Sequence, residues 1–201
     1  MEVSKIHLSS AEIELMQNAE IILTKNRVLE KMKSLLEEVQ LLQFNFVEAN
    51  GLTNEIFIVP PKISRGENYL GLPYLILDYP RKSSDETFFF IRSMFWWGHF
   101  FSCTLHLSAN TKIFFKERIE GSYSQLQNCH ISVNDNQWVH HLDGGDYRKI
   151  GSLTEKEFEE VCENFEHLKI ATKHSLGEWE KAPSELFENW KFFLSLCGLI
   201  S

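Results

Sequence analysis

The residues best suited to do chemistry lie in one short stretch, WVHHLDGGD, from Trp138 to Asp146. It places His140, His141, Asp143 and Asp146 within seven residues. Imidazole and carboxylate groups are the ligands of zinc, manganese, iron and nickel sites. Neighbouring histidines on a strand point to opposite faces, so only one of the two is expected to face a given site. The cluster predicts a metal site, and further candidate ligands are His106, His99 and Asp135.

Two interpretations of this cluster are open. In the first, these residues together with His106 hold one metal that activates a water molecule, which is the chemistry of a metal-dependent hydrolase. In the second, the Asp-Gly-Gly run is turn chemistry, one histidine packs on Trp138 and the other is exposed. Neither an HExxH motif nor a CxxC pair accompanies the cluster. The prediction of a metal site therefore depends on the types of residue in the cluster and not on a known metal-binding motif.

The aromatic stretch from Phe88 to Leu107 is the second candidate. Its polar and charged interruptions argue against a membrane span, and its Phe, Ile, Thr and Trp content predicts a hairpin that turns at WWGH. Trp96 and Trp97 at an exposed turn would mark a protein interface; the alternative is that both rings lie under the N-terminal helices. His99 beside them is a candidate base or ligand-binding residue.

Two further ligand sites are conceivable from residue types. Arg65 and Arg81 flank a predicted strand and could bind a carboxylate or phosphate, or they could form structural salt bridges that hold a loop. Aromatic side chains could also line a small-ligand cavity between the sheet and the helices. The residues predicted to line that cavity are Phe88, Phe90, Phe100 and Trp138.

Composition restricts the class of protein. With 201 residues, 43% hydrophobic and 24% charged, the chain is predicted to form a single globular domain over residues 1–201. A net charge of −8 disfavours nucleic-acid binding. The four cysteines are widely spaced, and the N-terminus has no signal-peptide pattern. A reducing, cytoplasmic location is therefore expected.

Hydrophobic periodicity predicts an α+β fold. A capping box at Ser9 and Glu12 starts a first helix, and an apolar stripe from Val28 to Phe46 marks a second, with the break between them at residues 24–26. Residues 62–73 read as a loop. The four strands predicted around it are 55–59, 74–79, 87–95 and 100–107.

The C-terminal half predicts a helix from residue 110, one or two strands within 129–142, and two final helices. The first of these begins at Thr154 and ends near Gly177, and the second begins at Pro183. Strands grouped between helices are typical of α+β proteins. The sequence therefore predicts an antiparallel sheet of about five to six strands, flanked by an N-terminal helical hairpin and two C-terminal helices.

No complete catalytic motif accompanies these elements: GxSxG, GxxxxGK and GxGxxG are all absent from the sequence. The sequence therefore predicts a non-catalytic interaction or accessory protein that binds a protein partner or a second copy of itself. A metal-dependent hydrolase and a small-ligand binder are the alternatives. No cofactor is indicated.

Overall fold

The structure, a computed structural model, describes residues 5–84 and 87–200. Residues 85 and 86, part of a predicted polar connection, lie outside them. The elements are α1 (Ser10–Gln17), α2 (Ala19–Ala49), β1 (Lys62–Tyr69), β2 (Leu72–Ser84), β3 (Thr87–Trp96), β4 (Phe100–Ser108), α3 (Ala109–Glu120), β5 (His130–Ser132), β6 (Tyr147–Lys149), α4 (Glu155–Asn164), β7 (His167–Ser175) and α5 (Ala182–Leu196). The predicted α+β class with an antiparallel sheet is confirmed.

The sheet has the strand order β1-β2-β3-β4-β7-β5-β6, and every adjacent pair is antiparallel. The described residues form seven strands, against the five to six predicted. The hairpin that turns at WWGH is confirmed, because Trp96 pairs with Phe100 across the turn. The turn itself uses Gly98 at a φ of 74°, a conformation that glycine adopts without steric cost.

Five local predictions are wrong. In place of an N-terminal helical hairpin with its break at residues 24–26, α1 ends at Gln17 and one long helix, α2, runs from Ala19 to Ala49. Residues 55–57 form a 3-10 helix instead of a strand, and residues 62–69 form β1 instead of a loop. The helix that begins after Thr154 ends at Asn164, and β7 follows it, because Leu168 and Ile170 alternate with polar residues at strand spacing. The predicted strand at 137–142 is a loop without regular structure.

The first face of the sheet forms the main core. Alternate residues of β2, β3, β4 and β7 pack there against the apolar sides of α2, α3, α4 and α5. Trp190 of α5 is fully buried, stacks on the Tyr79 ring with the centroids 6.2 Å apart, and donates its indole N–H to the Tyr79 carbonyl oxygen at 2.6 Å. A buried indole requires such an acceptor, so this contact fixes how α5 sits on the sheet.

The second face of the sheet has no helix over it in the described structure. The loop of residues 133–146 covers part of it, and Val139 and Leu142 of this loop join a small apolar cluster with Met94, Trp96 and Phe100. The rest of the space under the loop is filled by charged and polar side chains. Across the described residues, no helix is both long and apolar enough to cross a membrane.

Candidate functional site

A network of charged side chains lies between the 133–146 loop and the second face of the sheet. The antiparallel register places Asp78 of β2 beside Arg92 of β3, and His106 of β4 beside Lys169 of β7. The Arg92 guanidinium donates two hydrogen bonds to the Asp78 carboxylate, at 2.7 and 2.9 Å. Both side chains are 14% exposed, so this bidentate pair is largely removed from solvent.

Lys169 is the most deeply buried charged residue of the network, with 1% of its surface exposed. Its ammonium group donates to the main-chain oxygens of Gln137, at 2.8 Å, and Val139. Burial, and secondarily the positive charge of Arg92, lower the pKa of Lys169 to about 7. The side chain therefore ties the loop to β7 and titrates near neutral pH.

His140 connects Arg92 to Lys169. Arginine has only donors, so the contact of 3.0 Å between Arg92 Nη1 and His140 Nε2 makes that nitrogen the acceptor. Burial, followed by the charges of Lys169 and Arg92, lowers the pKa of His140 well below its usual range. The neutral ring then carries its proton on Nδ1, which lies 3.5 Å from Lys169 Nζ, a geometry that suits an uncharged amine with a free lone pair.

His106 lies beneath the loop and is 3% exposed. Its Nε2 atom is 3.1 Å from the side-chain oxygen of Gln137. Burial, then the positive charge of Lys169, lowers the pKa of His106 well below the usual value. Within the described residues, the network thus combines two neutral histidines and one titrating lysine with the Asp78–Arg92 ion pair.

Tyr69, His141 and Asp146 form a linear hydrogen-bonded chain. The Tyr69 hydroxyl is 3.0 Å from His141 Nδ1, and His141 Nε2 is 2.6 Å from the Asp146 carboxylate. The order resembles the acid–histidine–hydroxyl chain that activates a nucleophile. Here, however, the phenolic oxygen also accepts the main-chain N–H groups of His140 and His141, at 2.7 and 3.2 Å. One donor and two lone pairs are all that a hydroxyl has, so Tyr69 anchors the loop.

The structure separates the five predicted metal ligands into different contacts. His140 and His106 lie in the cationic network, His141 bonds Asp146, and Asp143 pairs with Lys173 at 2.8 Å. In the described residues, no three His, Cys, Asp or Glu side chains are placed to hold a metal ion. The metal-dependent hydrolase therefore stays a prediction that this arrangement does not favour.

The predicted interface residues divide between core and surface. Trp96 is buried and stacks on His99, with ring centroids 3.6 Å apart, while Trp97 is partly buried against the main core. Trp138 is 47% exposed. Arg65 pairs with Glu67 and Glu30, and Arg81 donates to the Pro60 carbonyl oxygen at 2.7 Å. Both arginines thus have structural partners.

Replacing Tyr69 by Phe is expected to destabilise the protein by about 1–3 kcal/mol, because the two main-chain N–H groups of the loop lose their acceptor. The rates of amide hydrogen exchange at His140 and His141 should both rise, because their N–H groups have lost this acceptor. Tyr74 is the matched control, since its ring packs on Tyr69 but its hydroxyl makes no hydrogen bond to the described residues. Equal effects of Tyr69→Phe and Tyr74→Phe would contradict the anchoring role.

Sequence reasoning missed four members of this network: Tyr69, Asp78, Arg92 and Lys169 as partners of the loop histidines. The alternation of side chains along β3 and β7 could have revealed two of them, because it places Arg92 and Lys169 on the face of the sheet opposite the apolar core. Nothing local could reveal their partners, because 71 and 72 residues separate Tyr69 from the amides and ring that it contacts.

The N-terminal arm, defined as residues 5–24, extends beyond the core. Every residue of it is exposed, and α1 has no buried residue among those described. Eight large apolar side chains on the arm are 38 to 81% exposed. They are Ile6, Leu8, Ile13, Leu15, Met16, Ile21, Ile22 and Leu23.

The described residues line at least two surface grooves. The arm groove, about 600 Å³, runs between the start of α2 and the β1–β2 and β3–β4 turns and includes Ile21, Ile22, Leu72, Pro73 and Trp97 in its lining. The α3 groove, about 1170 Å³, lies between α3, the tip of the 133–146 loop and the α4–β7 connection. Phe88 and Trp138, two of the four predicted cavity residues, line it, and Phe90 and Phe100 do not.

Comparison with protein-family models, with curated proteins and with solved structures finds no match to this chain.

Proposed function

We propose that this protein is a non-catalytic interaction protein that pairs with a second copy of itself through the N-terminal arm. The observation that carries the proposal is the complete exposure of an apolar arm. Monomeric soluble proteins rarely leave a contiguous apolar surface of this kind in water.

The length of α1 supports a missing contact. It has eight residues, and isolated helices shorter than about 12–15 residues are marginal in water. Its capping box, Ser9 with Glu12, satisfies the first amides but supplies only about 1 kcal/mol. Since the described part of the chain buries none of α1, packing on another molecule is what stabilises it.

The distribution of charge along the arm points to a second copy. Glu12 and Glu14 lie in α1, and Lys25 and Arg27 lie just beyond the arm. A two-fold axis near Asn18 brings the acidic helix of each copy to the basic turn of the other, which is the self-complementary arrangement of isologous dimers. The present partners of Lys25 and Arg27, Glu67 and Glu20, are exposed, so these pairs can be exchanged at little cost.

The arm groove offers the complementary surface. In the pair, α1 of one copy lies in the groove of the other, against Ile21, Ile22 and Trp97. Burying eight largely exposed side chains on each copy approaches the roughly 800 Å² per partner of a standard interface. In this dimer Trp97 lies in the interface, as its residue type predicts. Trp96 is buried in the core beneath the β3–β4 turn.

The wild-type chain is expected to be a dimer by sedimentation equilibrium at micromolar concentration, and Ile13→Glu/Met16→Glu to be a monomer that still melts cooperatively, at a lower temperature because the dimer contact no longer stabilises it. Placing two carboxylates in the apolar interface costs several kcal/mol in the dimer alone, because their burial is uncompensated there. The matched control is Leu41→Glu/Ile58→Glu, which alters two exposed apolar residues outside the arm and should remain dimeric. A wild-type monomer at all concentrations, or equal behaviour of the two variants, would overturn the proposal.

A further inference from the structure

A second apolar surface surrounds the α3 groove, on elements that the arm does not include. Ile113 of α3 and Trp138 of the loop both line the groove, and they are 73 and 47% exposed. The Trp138 ring packs edge-to-face on Phe88 and on His106, with centroids 5.6 Å apart in both cases. An aromatic wall held rigidly in this way is a suitable surface for an apolar side chain of another molecule.

The net charge of this groove is negative, because four carboxylates and two lysines line it. Its lysines have local partners: Lys112 donates to the main-chain oxygens of Glu163 and Phe165, and Lys116 pairs with Glu163. Three carboxylates of the lining form no ion pair within the described residues: Glu117, Asp135 and Glu166.

One neighbour of the groove reflects its carboxylates. Burial, together with the carboxylates of Glu159, Glu163 and Glu117 and against the opposing effect of Lys116, raises the pKa of Glu120 of α3. His167 lines the groove, and burial, followed by the positive charges of Lys169 and Lys112, lowers its pKa to about 4, so its ring adds no positive charge at neutral pH. The groove therefore presents apolar and negative groups together.

We propose that the α3 groove docks a basic amphipathic helical segment of a partner protein, whose apolar side chains contact Ile113 and Trp138 while its Lys and Arg side chains meet Glu117, Asp135 and Glu166. In this binding mode an amphipathic helix places its apolar face in a groove, and the carboxylates select a basic polar face. A second copy of this chain does not match the negative charge of the groove. The whole chain carries a charge of −8, and the arm itself contains Glu12, Glu14 and Glu20 against one Lys.

The test uses the full-length protein and a fluorescein-labelled 15-residue helical peptide made of Leu and Lys. A second peptide, with Glu in place of every Lys, is the comparison. The Lys peptide is expected to bind with an affinity that falls as salt is added. Glu117→Gln/Asp135→Asn/Glu166→Gln should weaken binding about tenfold, which corresponds to about 0.5 kcal/mol for each exposed charge pair. Trp138→Ser/Ile113→Ser should weaken it by a similar factor, because both side chains line the groove.

The matched control is Glu38→Gln/Glu48→Gln/Glu180→Gln, which removes the same charge from carboxylates outside the groove lining and should leave the affinity within twofold. Three results would overturn the proposal: equal binding of the Glu peptide, equal weakening by the two triple variants, or no binding of the Lys peptide at millimolar concentration. Spermine binding as tightly as the peptide, without dependence on Trp138 and Ile113, would make the groove a polyamine site and also refute the docking of a helix. Melting curves of each variant verify that it is folded.

Discussion

Replacing Arg92 by Leu is expected to lower the free energy of unfolding by about 3–5 kcal/mol, which is the cost of removing one partner from a buried ion pair. The change leaves the Asp78 carboxylate under the loop without its two charge-assisted hydrogen bonds. It also removes the donor to His140 Nε2. Urea unfolding at pH 7.5, followed by tryptophan fluorescence, measures the loss.

The control for Arg92 is Arg65→Leu on β1, which breaks exposed pairs with Glu67 and Glu30 and should cost less than about 1 kcal/mol. The double variant Asp78→Leu/Arg92→Leu should recover much of the loss, since an apolar pair can replace a buried ion pair. If Arg92→Leu costs no more than Arg65→Leu, the Asp78–Arg92 pair contributes nothing beyond a surface contact.

The second large effect concerns pH. Because the pKa of Lys169 is lowered to about 7 in the folded protein from 10.5, the unfolded chain binds more protons than the native chain between these values. The stability that this residue contributes therefore rises with pH above 7, by up to about 1.4 kcal/mol per pH unit. It is lost as pH falls from 10.5 to about 7, and below that range both states bind the proton and this residue adds no further pH dependence.

The variant Lys169→Met should lack this rise. The difference in unfolding free energy between wild type and variant is expected to change in favour of the wild type by about 2 kcal/mol from pH 7 to 8.5. The range stops there because burial raises the pKa of all four thiols, so their ionisation favours the unfolded chain at higher pH. Lys173→Met, at an exposed position of the same strand, serves as control and should keep the wild-type pH dependence.

Parallel pH profiles of the wild type and Lys169→Met would show that the lysine is not held in an apolar setting. Below pH 6.5 both proteins should lose stability together, because burial lowers the pKa values of His106, His140 and His167. The unfolded chain then takes up protons that the native histidines do not bind.

The loop of residues 133–146 shows where sequence reasoning reaches its limit. The spacing of His140, His141, Asp143 and Asp146 indicates an unusual density of polar groups, and in the structure all four take part in close contacts beneath or beside the loop. Residue types could not tell whether a metal ion or a neighbouring side chain binds these four polar groups. Arg92 and Lys173 are the neighbours of His140 and Asp143, and both come from distant strands.

The segment 165–175 shows a second limit. Phe165 and Leu168 continue the helical spacing of Phe158 and Cys162, and the same residues also fit a strand, so a short apolar run carries both patterns. Pairing with β4 makes this segment a strand instead of a helix, because Leu105 pairs with Ile170 and Leu107 with Leu168 on the core face. Hydrogen bonding to an existing sheet edge overrides the weaker local preference.

The sequence by itself determined the features that depend on near neighbours: the α+β class, the β3–β4 hairpin, and the capping boxes at Ser9 and Thr154. These follow from propensity and periodicity within a few residues. Only the tertiary structure decided which charged groups meet under the loop, how far Lys169 is buried, and that the arm remains outside the core. Those properties arise from contacts between segments far apart in the chain, where burial and the charges of distant residues set the energy of each group.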